Sequence, residues 1–168
     1  MRPKELAEDN VTQYPPTKHA VLELKKQGWF PDIVVFLEAD VPLKTGEDVD
    51  IVIKALINGN VDSVRAVCES SVPPQWMFSI DKEGLVKPFI KNINMEDPNI
   101  CMRQNLPKVY HMTSVVDATW TKTIINKNSM FGSKVKAVVF DREKSIDIDT
   151  PLDLLIAEII LKHNKNKT

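Results

Sequence analysis

The stretch from Asp32 to Glu69 constrains the fold more than any other part of the chain. It opens with "DIVVFL", where Ile33 to Leu37 form a continuous apolar run, the pattern of a strand covered on both faces, as in a parallel sheet. "GEDVDIVIKALINGN" follows. Its Val49, Val52, Ile53, Leu56 and Ile57 fall at i, i+3, i+4, i+7 and i+8, with acids at the start and Gly59 at the end. That spacing predicts an amphipathic helix with both termini marked. "VDSVRAVCE" then reads as a second strand, so a β-α-β unit is completed within about forty residues, the length that a right-handed crossover needs. The centre of the chain is therefore expected to be α/β, with a mostly parallel sheet flanked by helices.

On either side of this unit the pattern changes. Thr17 to Gln27 reads as a helix closed by Gly28, and Trp29 is expected to pack it onto the sheet. Between Ser70 and Asn128, prolines at 73, 74, 88, 98 and 107 interrupt short β-like pieces such as "WMFSI" and "LVKPFI". This region, 70–128, reads as an insertion and not as another βα unit. "SKVKAVVFD" restores a strand, and "PLDLLIAEIIL" gives a last helix whose stripe is Leu152, Leu155, Ile156, Ile159 and Ile160. The tail "KHNKNKT" complements that helix's C-terminal dipole and is expected to be solvated. A length of 168 residues suits one domain, 1–168.

Charge excludes several function classes. Lys plus Arg number 22 against 23 Asp plus Glu, so no global field favours nucleic acid or an anionic membrane, and any phosphate site must be local. Cys68 and Cys101 have no CxxC spacing, and His19, His111 and His163 lie too far apart for a helical ligand pair, so a zinc site is not expected. No apolar run reaches the roughly 18 residues of a membrane span, and the start "MRPKELAEDN" is charged and polar. A cytoplasmic protein with reduced thiols is the expectation.

The segment "KSIDIDTPLDLLIAEIIL" carries the chemistry. Thr150 as N-cap, Pro151 at N1 and Asp153 at N3 suffice to start the helix, so Asp147 and Asp149 are not needed for it. Because they alternate with Ile146 and Ile148, an extended backbone would place both carboxylates on one face. Paired acids there are costly unless something positive sits between them. Mg²⁺ fits, since it binds through one or two carboxylates and completes its shell with water and substrate phosphates. The local sequence leaves open a plainer assignment, one aspartate as an extra cap and the other solvated.

"RPKELAEDN", "VPLKTGEDVD", "RQNLP" and "SIDIDTPLDLLIAEIIL" occur in an order and at an approximate spacing that resemble the CMP-sialic acid synthetases (acylneuraminate cytidylyltransferases) and their relatives acting on legionaminic or pseudaminic acid. The resemblance spans essentially the whole chain. It implies a Rossmann-like nucleotide-diphospho-sugar transferase fold with an insertion through which two subunits dimerise. It also implies transfer of CMP from CTP to a nine-carbon keto-acid sugar, with release of pyrophosphate and with Mg²⁺ as cofactor. Under it, Asp147 and Asp149 are metal ligands, Arg2 contacts the nucleotide, and Arg103 and Gln104 face the sugar or a neighbouring subunit's site. The resemblance names no general base.

Departures from the family are equally specific. Relatives commonly read "QPTSPLR" where this chain reads "EADVPLK", so Glu38 replaces a sugar-contacting glutamine. Asp40, two residues before Pro42, resembles the "DxP" acid of more distant nucleotidyltransferases and is a candidate third metal carboxylate. Thr113-Ser114 stands where many relatives have "NG". The strand and loop resembling "ARxGSKxxxxKN", which hold the CTP phosphates in relatives, have no counterpart here, and the glycines at 28, 46, 59, 84 and 132 form no phosphate-cradling loop. The expectation is a fragment or degenerate copy that does not turn over CTP alone. The alternative function is a non-catalytic sugar-binding or subunit-like remnant.

Overall fold

The computed structural model describes residues 2–91 and 93–165, without the side chains of Ile100, Cys101 and Lys165. The end of the tail expected to be solvated, 166–168, lies outside the described residues. Two compact units are present, one made of residues 1–67 and 112–168, the other of 68–111.

The first unit is built on a mixed four-stranded sheet in the order β1-β5-β2-β6, from β1 (Ile33–Phe36), β2 (Ser63–Glu69), β5 (Tyr110–Trp120) and β6 (Val135–Val139). β2 and β6 are parallel, Ser63 opposite Val135 and Val67 opposite Val139. β1 runs antiparallel to β5, with Ile33 opposite Trp120 and Phe36 opposite Asp117. The fold is therefore α/β as expected, and its reversed strand, β5, lies inside the stretch expected to be an insertion. That expectation of 70–128 is too wide. "TSVVDATW" returns to the main sheet and places Val115, Val116 and Ala118 in the core, so the separate unit is 68–111.

The helices begin and end where local chemistry dictates. α1 (Tyr14–Lys26) starts on prolines in its first turn. It closes in a Schellman arrangement, with Gly28 N–H donating to the Lys25 carbonyl at 3.1 Å and Trp29 N–H to that of Leu24 at 3.0 Å. Gly28 has φ 85°, a left-handed conformation that only glycine adopts without strain. The same turn throws Trp29 outward, 62% exposed, and it does not pack the helix onto the sheet as expected. α2 (Gly46–Ile57) begins with a capping box between Thr45 and Asp48, and buries Val52 and Leu56 completely against Val64, Ala66 and Val115. Truncating Leu56 to alanine would cost about 2–5 kcal/mol. α3 (Thr121–Asn126) follows β5 directly.

Two other expectations need correction. The Ile33–Leu37 run is half-buried, not fully covered, because β1 is an edge strand in which β5 is the one neighbour among the described residues. Leu37 falls beyond its end and is exposed. The last helix, α4 (Pro151–Lys165), is present, yet its expected core stripe is largely outside. Leu152, Leu155, Ile156 and Ile159 are exposed and Ala157 is the buried apolar position. The alternation 3.6 residues long is there in the sequence, but within the described residues little lies against it.

In the second unit, β3 (Phe78–Ile80) and β4 (Val86–Pro88) form an antiparallel hairpin. Asp81 organises its turn by accepting from the backbone N–H groups of Glu83 and Leu85, both at 3.0 Å. Prolines open the short 3-10 turns Pro74–Trp76 and Pro98–Cys101, which explains the broken β pattern. No helix among the described residues is long and apolar enough to cross a membrane.

Candidate functional site

The carboxylates meet through backbone pairing and not through strand alternation. Residues 146–149 are an extended loop and not the strand expected, and Ile148 N–H donates to the Asp40 carbonyl at 3.0 Å. That bond brings the loop after β6 against the loop after β1. Ile146 and Ile148 are half-buried, as is Asp147, while Asp149 is exposed. Asp147 Oδ1 is buried with no hydrogen-bonding partner. Burial, then the charges of Asp40, Asp149 and Glu38, hold its carboxyl above the usual range, against a hydrogen bond from Ser114. An acid in that state gains from a nearby cation.

Both loops are held in place by lysines. The Lys44 ammonium donates to the carbonyls of Glu38 and Val41, closing the loop that carries Asp40. Lys144 donates to Asp48 Oδ1 at 2.5 Å. Burial alone would raise the Asp48 pKa, but Lys144 and the Thr45 cap outweigh it and leave it lowered. The start of α2 and the aspartate loop are thereby pinned to each other. Helix α4 takes no part of Asp147 or Asp149 for its cap, because Asp153 Oδ2 accepts from the Thr150 N–H at 2.8 Å and its hydroxyl at 2.6 Å. The capping role that the sequence left open for the earlier pair is filled by Asp153.

A cavity of about 220 Å³ adjoins the acids, sharing Glu38 and Ser114 with their surroundings and lined further by Gln13, Phe36, Arg65, Met112, Thr113 and Asp117. Gln13 donates to Glu38. Arg65 Nε donates to Asp117 Oδ2 at 3.2 Å, and the Ala66 N–H donates to Asp117 Oδ1 at 3.0 Å. The Arg65 guanidinium lies 3.8 Å from the centre of the Phe131 ring, a stacked arrangement that fixes its plane. Burial raises the Asp117 pKa, with Glu38 adding to the shift and Arg65 opposing it. Sequence reasoning missed Arg65 and Asp117. The signal was present in "SVRAV" and "SVVDATW", each with one charged residue among uncharged neighbours.

The other sequence candidates lie elsewhere. Arg2 lines a separate cavity of the first unit with Pro16, His19, Ala20 and Glu23. Arg103 and Gln104 line a cavity of the second unit, where Arg103 donates to the Ser70 carbonyl at 3.4 Å. The structure thus gathers Glu38, Asp40, Asp147 and Asp149 and does not gather Arg2 with them. No three His, Cys, Asp or Glu side chains among the described residues form a ready-made metal cage. The donor set nevertheless suits Mg²⁺, which relies on few carboxylates and on ligand oxygens, and Asp147 Oδ1 is a free acceptor for it.

This chain is 28% identical over 166 residues to the CMP-N,N'-diacetyllegionaminic acid synthase of Legionella pneumophila, covering 95% of this chain and 68% of that protein. The chain is CMP-sialic acid synthetase-like. Post-translational flagellin modification protein B of Campylobacter coli is 22% identical over 164 residues, covering 96% of the CMP-sialic acid synthetase-like chain and 66% of that protein. The chain therefore spans about two thirds of the length of these relatives. No protein-family model matches it. Among solved structures it is similar to 4-diphosphocytidyl-2C-methyl-D-erythritol synthase from Anaerococcus prevotii, with TM-score 0.57, 20% identity, and coverage of 91% of this chain and 68% of that one. It is also similar to a CMP:2-keto-3-deoxy-manno-octonic acid synthetase complexed with CTP, with TM-score 0.56, 11% identity, and coverage of 92% and 70%. The fold of the CMP-sialic acid synthetase-like chain is that of the nucleotide-diphospho-sugar transferases.

Proposed function

We propose that the chain forms the metal- and acceptor-binding part of a cytidylyltransferase that moves CMP from CTP to a nine-carbon keto-acid sugar and releases pyrophosphate. The observation that carries this reading is Asp147, with an unpartnered buried oxygen and three further acids around it, beside a cavity of about 220 Å³. Asp147 and Asp149 would hold Mg²⁺, with Asp40 adding negative charge; the ion supplies charge neutralisation for the triphosphate. Glu38, which accepts a hydrogen bond from Gln13 and lines the cavity, would accept hydrogen bonds from sugar hydroxyls. The relatives named as a CMP-legionaminic acid synthase and a flagellin modification protein support the acceptor class. Arg103, Gln104 and Arg2 are proposed as further substrate contacts on the family resemblance, and a homodimer of a cytoplasmic enzyme is proposed on the same ground.

One observation favours a second reading, in which the chain binds sugar and metal without turning over CTP. The ammonium of Lys44, four residues after Asp40, is committed to the Glu38 and Val41 carbonyls, that of Lys144, three residues before Asp147, is committed to Asp48, and the described residues contain no glycine-rich phosphate loop. Pyrophosphate release from CTP separates the two readings. The assay would use sialic, legionaminic and pseudaminic acids with Mg²⁺, alongside calorimetric binding of each acid. Release that requires an acid and is lost in Asp147→Asn supports the transferase. Binding without release supports the second reading, and neither binding nor release refutes both.

A further inference from the structure

The cavity beside the acids contains donors that the protein itself leaves unmatched. Thr113 is 8% exposed, lines the cavity, and its hydroxyl has no partner. Leaving such a group buried and unpaired is costly, so a ligand atom that satisfies it is favoured. Arg65 shows the same incompleteness. Its Nε is matched to Asp117, but its Nη1 faces the thioether of Met112 at 2.7 Å, and sulfur is a weak acceptor. The Phe131 ring and the Asp117 carboxylate hold the guanidinium in a fixed plane, so its outer edge is preorganised to donate.

We propose that Arg65 and Thr113 anchor the carboxylate of the acceptor sugar acid, with Asp117 as the positioning residue for Arg65. This deepens the acceptor reading above and rests on it. The charge of the lining selects the class of anion. Arg65 and Asp117 cancel, and Glu38 leaves the wall net negative. That wall opposes a multiply charged phosphate more strongly than a singly charged carboxylate, and for the carboxylate the guanidinium's charge-assisted hydrogen bonds offset the smaller repulsion. Glu38 then faces the hydroxyl-bearing part of the same molecule.

The test is calorimetric titration of the full chain with sialic acid and with its methyl ester, which keeps the shape and removes the charge. The ester should bind about ten-fold more weakly or worse, the size of one charge-assisted hydrogen bond. Arg65→Met should weaken the free acid about ten-fold and leave the ester unchanged, so that the two converge. Arg65→Lys should restore part of the preference, and circular dichroism checks that each variant is folded. If Arg65→Met does not fold, the acid and ester comparison on the unaltered chain and on Arg65→Lys decides. Equal binding of acid and ester by the unaltered chain, or a preference undiminished in Arg65→Met, overturns the assignment while leaving the acceptor cavity standing. Binding of neither compound, nor of legionaminic or pseudaminic acid, refutes the acceptor reading and this assignment with it.

Discussion

Ile148 donates its backbone N–H to the carbonyl of Asp40 at 3.0 Å, joining residues more than a hundred positions apart in the chain. This bond, and not any pairing of strands, is what puts Asp40 beside Asp147. Because it is made by main-chain atoms, it survives substitution of any of the carboxylates. The acids can therefore be altered singly without dismantling the loop that carries them.

Asp147→Asn should abolish Mg²⁺ binding while leaving the metal-free chain as stable or more stable, since it removes the central member of a like-charged group. Asp149→Asn should weaken the metal strongly with little change in fold. Asp153→Ala removes the partner of Thr150 and should lower the melting temperature by about 2–4 °C with metal affinity unchanged. Isothermal titration with Mg²⁺ and thermal melts of the three variants decide the matter. Equal loss of metal affinity in Asp149→Asn and Asp153→Ala would reverse the assignment.

The raised pKa of Asp147 makes metal binding dependent on pH. As the pH falls through that raised value a proton competes for the site, so Mg²⁺ affinity should drop at a pH above the ordinary aspartate value of 3.8. For the metal-free fold the sign is the other way. The cost of ionised Asp147 is absent below 3.8 and grows as pH rises through the folded-state pKa. Metal titrations and melts across pH 4 to 7, repeated with Asp147→Asn, should show both slopes in the parent and neither in the variant.

Asp62 should behave oppositely. Hydrogen bonds from Lys127 and from the Lys134 and Ser133 N–H groups hold its carboxyl far below the usual range. Its stabilising contribution is present above pH 3.8, the unfolded value, and is lost as pH falls toward the folded one. The same side chain lies close against Gly132, whose φ is 69° and where an added Cβ would lie 2.6 Å from it. Gly132→Ala should cost about 2 kcal/mol or more in urea unfolding. A loss within the few tenths typical of exposed sites would show that the turn relaxes freely.

The hairpin of the second unit should mediate self-association. Ile80 and Phe89 are 72% and 73% exposed, which is unusual for large apolar side chains that serve no interface. Light scattering should give a symmetric dimer for the chain and a shift toward monomer for Ile80→Glu with Phe89→Glu. An unchanged mass in the double variant would assign the association to another surface, with the exposed stripe of α4 the next to test.

Much of the fold was legible because its signals are local. The helix at 46–57 announced itself through acids at its start, Gly59 after its end and a regular apolar spacing, and the last helix through Thr150, Pro151 and Asp153. What misled was periodicity without knowledge of neighbours. Leu152 and Ile159 repeat as core residues do, yet whether they are covered depends on what packs there. Tyr110–Trp120 was absorbed into an insertion because a strand that returns after a proline-rich excursion carries no mark of which sheet it rejoins. At the site, Asp147 and Asp149 stood out by spacing. Arg65 and Asp117 did not, because their meaning lies in pairing across 52 residues.

Asp48 caps a helix early in the chain and takes its counter-charge from Lys144, 96 residues later. A nascent polypeptide acquires the first of these long before the second. Until Lys144 arrives, the carboxylate that starts α2 lacks the cation that matches it in the folded chain. The start of α2 and the acidic loop are thus joined by one ion pair across 96 residues, so neither reaches its final charge balance without the other.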